Sequence, residues 1–204
     1  MYKAVSTWML AAGLLVALPV SAAADNAKQE LQQKLEQMNS LTAKFEQQVT
    51  ADNGELLQQL SGELAIQRPN KMRWQTNPPD DTLMVASGDT VWYYNPFVEQ
   101  VSLYQQQDAA ANSPMLLLLT GSDEQWQGYS VQEPEPNQYL VTADAGGSEL
   151  RLSFNDETLS RIGLQQPGGD VIELQLSEVV VNPALEQSLF TFDVPAGVDV
   201  DDQR

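Results

Sequence analysis

Between residues 56 and 105 the chain falls into five strand-like segments in quick succession, each closed by turn chemistry. The segments are 56–68, 71–76, 82–87, 90–95 and 100–105. Their separators are Pro69-Asn70, Asn77-Pro78-Pro79-Asp80, Ser87-Gly88-Asp89 and Asn95-Pro96. Separators this short allow only hairpins, because a parallel crossover needs a dozen or more residues. The sheet is therefore expected to be antiparallel. Trp74, Trp92, Tyr93, Tyr94, Phe97 and Tyr104 crowd this half, which suits a strongly curved sheet with one apolar face.

A second set of strands is expected at 129–133, 138–143, 149–154, 159–165 and 170–181, with turns that include Gly146-Gly147 and Pro167-Gly168-Gly169-Asp170. Ahead of both sets, Leu41, Ala43, Phe45, Gln47 and Val49 alternate with polar neighbours. A continued helix would also place Leu41 and Phe45 on its apolar stripe; Asn39-Ser40 is a plausible stop, and the strand is preferred. A sheet of about eleven strands cannot stay flat and open, so it curls.

Helical signals are few. Over Asp25 to Asn39, Leu31, Leu35 and Met38 recur at helical spacing while Lys28, Gln32, Glu36 and Gln37 point elsewhere, and Asp25 or Asn26 can cap the start. Ser113-Pro114 opens a second helix, Met115-Leu116-Leu117-Leu118-Leu119, ended by Thr120-Gly121. It is apolar all round, which fits either a buried core helix or a lid over an apolar space. A third, short helix is placed from Ser122 to Trp126, and one helical turn at Leu185 to Leu189. Phe190, Phe192 and Val194 are expected to close the core, and the acidic tail from Val198 to Arg204 to lie on the surface. The fold class is mainly β (α+β), a curved antiparallel half-barrel left unclosed, with short helices on its concave face.

One residue breaks this pattern. Leu60, Gly62, Leu64, Ile66 and Arg68 share one face of a strand, so an arginine is in phase with the apolar side. A guanidinium cannot shed its proton, and burying it alone is costly; it needs a carboxylate or carbonyl oxygens. Either it bends out to solvent beside Pro69, or it sits at the rim of a hydrophobic cavity and holds something shut.

The first 24 residues read as a cleaved signal peptide. Lys3 precedes an apolar run from Trp8 to Val20, and Ser21-Ala22-Ala23-Ala24 suits cleavage. Residues 25–204 then form a single domain that begins without a cysteine to carry a lipid. The chain has no histidine and no cysteine, so Ser-His-Asp and Cys-His catalysis, imidazole metal sites and disulfides are excluded by composition. Acidic clusters such as Asp80-Asp81 lack the spacing of a calcium loop. A formal charge of −18 repels nucleic acid and anionic lipid heads, and Arg68, Lys71 and Arg73 are too few for a nucleic-acid patch. The acidity fits either basic partners or a salty habitat. No catalytic residue, cofactor or metal is expected. What remains is binding by burial: an acyl chain gains roughly 0.8 kcal/mol per buried methylene, so release is the harder step.

These residues resemble the LolA family, periplasmic carriers of outer-membrane lipoproteins in Gram-negative bacteria. The matching stretches are Leu31 to Met38, Leu64 to Trp74 with Arg68-Pro69-Asn70, Ser87-Gly88 with Trp92, Tyr94-Asn95-Pro96-Phe97-Val98-Glu99-Gln100, Ser113-Pro114 and the tail Val200-Asp201-Asp202-Gln203-Arg204. The resemblance implies an eleven-stranded unclosed barrel, helices as a lid over a hydrophobic cavity, and a monomer. It implies that lipoprotein acyl chains pass from an inner-membrane LolCDE-type ABC transporter to an outer-membrane LolB-type receptor. By the same resemblance Arg68 is the latch that bonds lid-helix carbonyls. The cavity is then lined by Leu35, Met38, Leu64, Ile66, Met72, Trp74, Met84 and Trp92, with Met115, Leu116, Leu118 and Leu119 from the lid. Met72 stands where the best-known members carry an aromatic. The competing classes are a half-barrel lipid- or lipoprotein-sensing module acting by protein contact, a LolB-like acceptor, an exported hydrolase with a carboxylate pair, and a β domain with a filled core.

Overall fold

The computed structural model describes residues 20–106, 126–144 and 146–204. One helix, α1 (Val20–Gln37), leads into twelve strands: β1 (Ser40–Thr50), β2 (Leu56–Gln67), β3 (Lys71–Thr76), β4 (Leu83–Ser87), β5 (Thr90–Asn95), β6 (Gln100–Gln105), β7 (Tyr129–Glu135), β8 (Gln138–Ala143), β9 (Glu149–Asn155), β10 (Thr158–Gln165), β11 (Val171–Val181) and β12 (Asp199–Asp202). They form one open sheet in the order β12-β6-β5-β4-β3-β2-β1-β11-β10-β9-β8-β7. The two hairpin runs are therefore joined through β1, which pairs with β2 on one side and β11 on the other.

The unclosed sheet is the expected one, and three details differ. Among the described residues it has twelve strands where about eleven are expected, because the acidic tail forms β12 and pairs with β6 in parallel. That pairing joins segments a hundred residues apart, so no local hairpin signal announces it. Helix α1 starts at Val20, upstream of Asp25 and Asn26. Ala22, Ala23 and Ala24 are strong helix formers with no breaker before Asp25, so the helix runs through the expected cap. The C-terminal aromatics close a second layer on the outer face. Phe190, in the 3-10 turn Gln187–Phe190, is buried there, and Phe192 packs against Tyr94 with ring centroids 5.9 Å apart.

The principal core lies on the concave face, under α1. Leu31 and Leu35 of the helix meet Val141, Leu150, Leu152, Ile162 and Leu174 of the sheet, all buried. The joint from α1 into β1 is closed by Asn182: its Nδ2 donates to the Gln37 carbonyl at 2.9 Å. Its Oδ1 accepts from Asn39 N at 2.8 Å and Ser40 N at 3.3 Å. Asn182 has φ +57°, a conformation its short polar side chain tolerates.

Candidate functional site

Strand register sorts the side chains of β1 to β6 onto two faces. Leu41, Ile66, Met72, Ala86, Val91 and Tyr104 stand in one row across the concave face. Ala43, Leu64, Trp74, Met84, Tyr93 and Ser102 stand in the next. Leu64, Ile66 and Met72 are buried, while Trp74 and Met84 are only partly covered. Phe45 stacks at 4.1 Å on Trp74. It can do so because position 62 is glycine: a Cβ there would lie 2.5 Å from the Phe45 ring and 2.1 Å from the Gln75 carbonyl oxygen. Toward one end of the strands this surface opens into a recess of about 420 Å³, with Leu60, Trp74, Met84, Tyr93 and Phe97 among its walls. Phe97 and Val98, in the β5–β6 turn, and Leu56 and Leu57, at the start of β2, are exposed.

Helix α1 lies over the other half of the concave face. Leu35 and Met38 turn inward, as the helical spacing predicts. Arg68 closes the contact between the halves. It follows β2 directly, at a cis peptide bond to Pro69. Its Nη1 donates to the Leu35 carbonyl at 2.7 Å and its main-chain N to the Asn39 carbonyl at 2.9 Å. Its guanidinium is thus turned toward α1 rather than out to solvent. Burial pushes its pKa down from the ordinary arginine value, opposed by the charge of nearby Glu36. Its acceptor at Leu35 is one of the last four carbonyls of α1, which have no partner within the helix. A cation at a helix C-terminus also meets the negative end of the helix dipole.

Trp92 is a correction. It pairs with Val85 and Leu103 and shares their face, the convex one. Val91 and Tyr93, its neighbours in sequence, take the concave positions. Both faces of β5 carry aromatics because the C-terminal segment covers the outer one, so aromatic content does not say which face is the cavity. Met115, Leu116, Leu118 and Leu119, with the helix expected at Ser113 to Thr120, lie outside the described residues.

Five residues are absent from the expected site. Phe45, Val91, Tyr93 and Tyr104 extend the apolar wall; Phe45, between Lys44 and Glu46, carries an alternation signal, whereas Val91 and Tyr93 flank Trp92 and carry none. Lys28 points away from the apolar stripe, as its spacing predicts, and its Nζ donates to the carbonyls of Trp126 at 2.7 Å and Tyr129 at 2.8 Å. A larger recess, about 520 Å³, lies around Gly163 between Arg151, Arg161 and Glu173. These side chains are on the convex face and charged, which suits no acyl chain. Among the described residues no cluster of acidic side chains could hold a metal ion, and no helix is long and apolar enough to cross a membrane.

The described residues thus form an unclosed, largely antiparallel half-barrel with an apolar concave face, covered in part by a helix whose Leu35 carbonyl accepts from Arg68. The family model described as outer membrane lipoprotein carrier protein LolA matches residues 36–193. The outer-membrane lipoprotein carrier protein of Idiomarina loihiensis is 48% identical over 191 residues, 93% of this chain and 95% of its own. That of Shewanella halifaxensis is 39% identical over 87% of this chain and 86% of its own. Among solved structures, a LolA superfamily protein from Nitrosomonas europaea aligns with a TM-score of 0.52 at 11% identity, over 81% of this chain and 98% of its own. A putative outer membrane lipoprotein-sorting protein domain from Vibrio parahaemolyticus gives 0.51 at 14%, over 82% and 97%. The chain belongs to the LolA family of outer-membrane lipoprotein carrier proteins.

Proposed function

We propose that the protein carries outer-membrane lipoproteins across the periplasm by burying their acyl chains on the concave face. In this reading residues 1–24 direct export and are removed, and residues 25–204 act as a monomer. Cargo arrives from a LolCDE-type ABC transporter in the inner membrane and leaves to a LolB-type receptor in the outer membrane. No bond in the cargo changes, so the protein is not an enzyme. The observation that carries the reading is the Arg68 contact with Leu35: it closes an otherwise apolar cavity through a bond that must be given up when the helix lifts. Such a closed state supplies what a carrier needs, a competitor for its own cargo. The wall formed by Leu64, Ile66, Met72, Trp74 and Met84, with Leu35 and Met38 above it, supports acyl chains as the ligand. The four leucine and methionine positions of the expected lid helix complete the site in this proposal.

The test mixes the protein with membranes that hold a radiolabelled triacylated lipoprotein, the transporter and ATP. Label is expected in the soluble fraction as a one-to-one complex. Label that stays on the membrane, with folded protein and a matched transporter, contradicts the proposal. The competing lipid-sensing reading is not favoured, since the carrier-named relatives match over most of the chain's length.

A further inference from the structure

We infer that Lys28 is a second latch, which fastens the N-terminal half of α1 as Arg68 fastens its C-terminal end. The two cations have the same kind of partner. Arg68 reaches the Leu35 carbonyl from the sheet; Lys28 reaches from the helix to the carbonyls of Trp126 and Tyr129, where the chain returns into β7. Both sets of acceptors are neutral main-chain oxygens. A charged donor makes its strongest hydrogen bonds at short range, and these are 2.7 and 2.8 Å. Breaking them leaves no buried carboxylate behind, so they can be made and released repeatedly.

Their positions differ in a way that matters. Arg68 and Asn182 act where α1 joins β1, the natural pivot. Lys28 acts about two turns away, at the β7 edge of the sheet, where a lifting helix would move further than at the pivot. Lys34 stands between them and holds the β9–β10 turn, donating to the Asp156 carbonyl at 3.2 Å and pairing with Glu157 at 3.0 Å. Beneath this part of the helix lie Tyr139, Leu152, Phe154 and Ile162, buried by it. Acyl chains reach that surface only when α1 rises, and Lys28 is the contact that opposes the rise. Lys28 is thus a positioning residue for capture and release.

The inference rests on the carrier reading, and two measurements separate their failures. Lys28→Met keeps the alkyl stem and removes the donor. In the free protein, amide hydrogen exchange along α1 is expected to quicken about 10-fold, with β10 and β11 unchanged. With a fluorescent triacylated cysteine peptide as probe, affinity is expected to rise about 10-fold, because the closed state that competes with binding is weakened. A residue that merely supports the fold would lower affinity when removed. Unchanged exchange along α1, or unchanged or weaker probe binding by folded Lys28→Met, overturns the latch. If the unsubstituted protein ignores the probe, the carrier reading fails, and the exchange measurement still decides whether Lys28 holds α1 down.

Discussion

The Arg68 guanidinium donates through Nη1 to the Leu35 carbonyl at 2.7 Å, from the end of β2 to the end of α1. Both residues belong to segments that alternate or repeat for packing, yet the bond between them is polar and charge-assisted. Such a bond contributes about 1.5–3 kcal/mol. Arg68→Leu is expected to raise cargo affinity at least about 10-fold and to slow transfer to the receptor by a similar factor. Rates of lipoprotein transfer from purified complexes measure this. Normal transfer by Arg68→Leu would remove the latch while leaving the carrier reading intact.

Gly62 and Phe45 make a steric prediction. A Cβ at position 62 meets the Gln75 carbonyl oxygen and the Phe45 ring at distances no packing tolerates. Gly62→Ala is expected to cost about 3 kcal/mol, at the upper end of ordinary overpacking. Gly163→Ala, where the added carbon meets only the Arg151 Cβ at 3.4 Å, is expected to stay within about 0.5 kcal/mol of the unsubstituted protein. Urea denaturation of both variants compares them on one scale.

The strands were largely legible because turn chemistry closes them, and several, such as β1 and β11, also alternate. Their register follows from hairpins, which act locally. What was not legible depended on contacts distant in sequence. The convex place of Trp92 requires knowing that Phe190 and Phe192 return to cover the outer face. Strand β12 requires a parallel pairing with β6. Arg68 was legible because a permanent charge in phase with Leu64 and Ile66 demands a partner. Lys28 was not, because a lysine on a helix reads as solvated until the carbonyls of Trp126 and Tyr129 are seen in front of it.

Asn182 gives a prediction at the pivot. Its side chain makes three hydrogen bonds, to Gln37, Asn39 and Ser40. Asn182→Ala is expected to cost about 2–3 kcal/mol and to lower Tm by about 5–10 °C. Differential scanning calorimetry measures it, and a shift below about 2 °C would show that the joint is held by other contacts.

Tyr139 sets an alkaline signature. Burial, foremost, and the nearby charges of Glu133, Glu30 and Glu157 push its pKa up to about 12. The folded protein then keeps a proton that the unfolded chain releases near pH 10. Its contribution to stability is present below pH 10 and is lost as pH rises through about 12. Ultraviolet titration is expected to show one tyrosine ionising late, and Tyr139→Phe should remove that step. A titration curve unchanged by the substitution would contradict the burial argument.

The most direct test of the acyl site uses the two faces of one sheet. A photoreactive benzophenone amino acid replaces Trp74, on the concave face, or Trp92, on the convex face, in protein loaded with a triacylated lipoprotein. After irradiation, cross-links to the acyl chains are expected from position 74 and none from position 92. Cross-links from position 92 alone, or equal yields from both, would contradict burial of the cargo on the concave face.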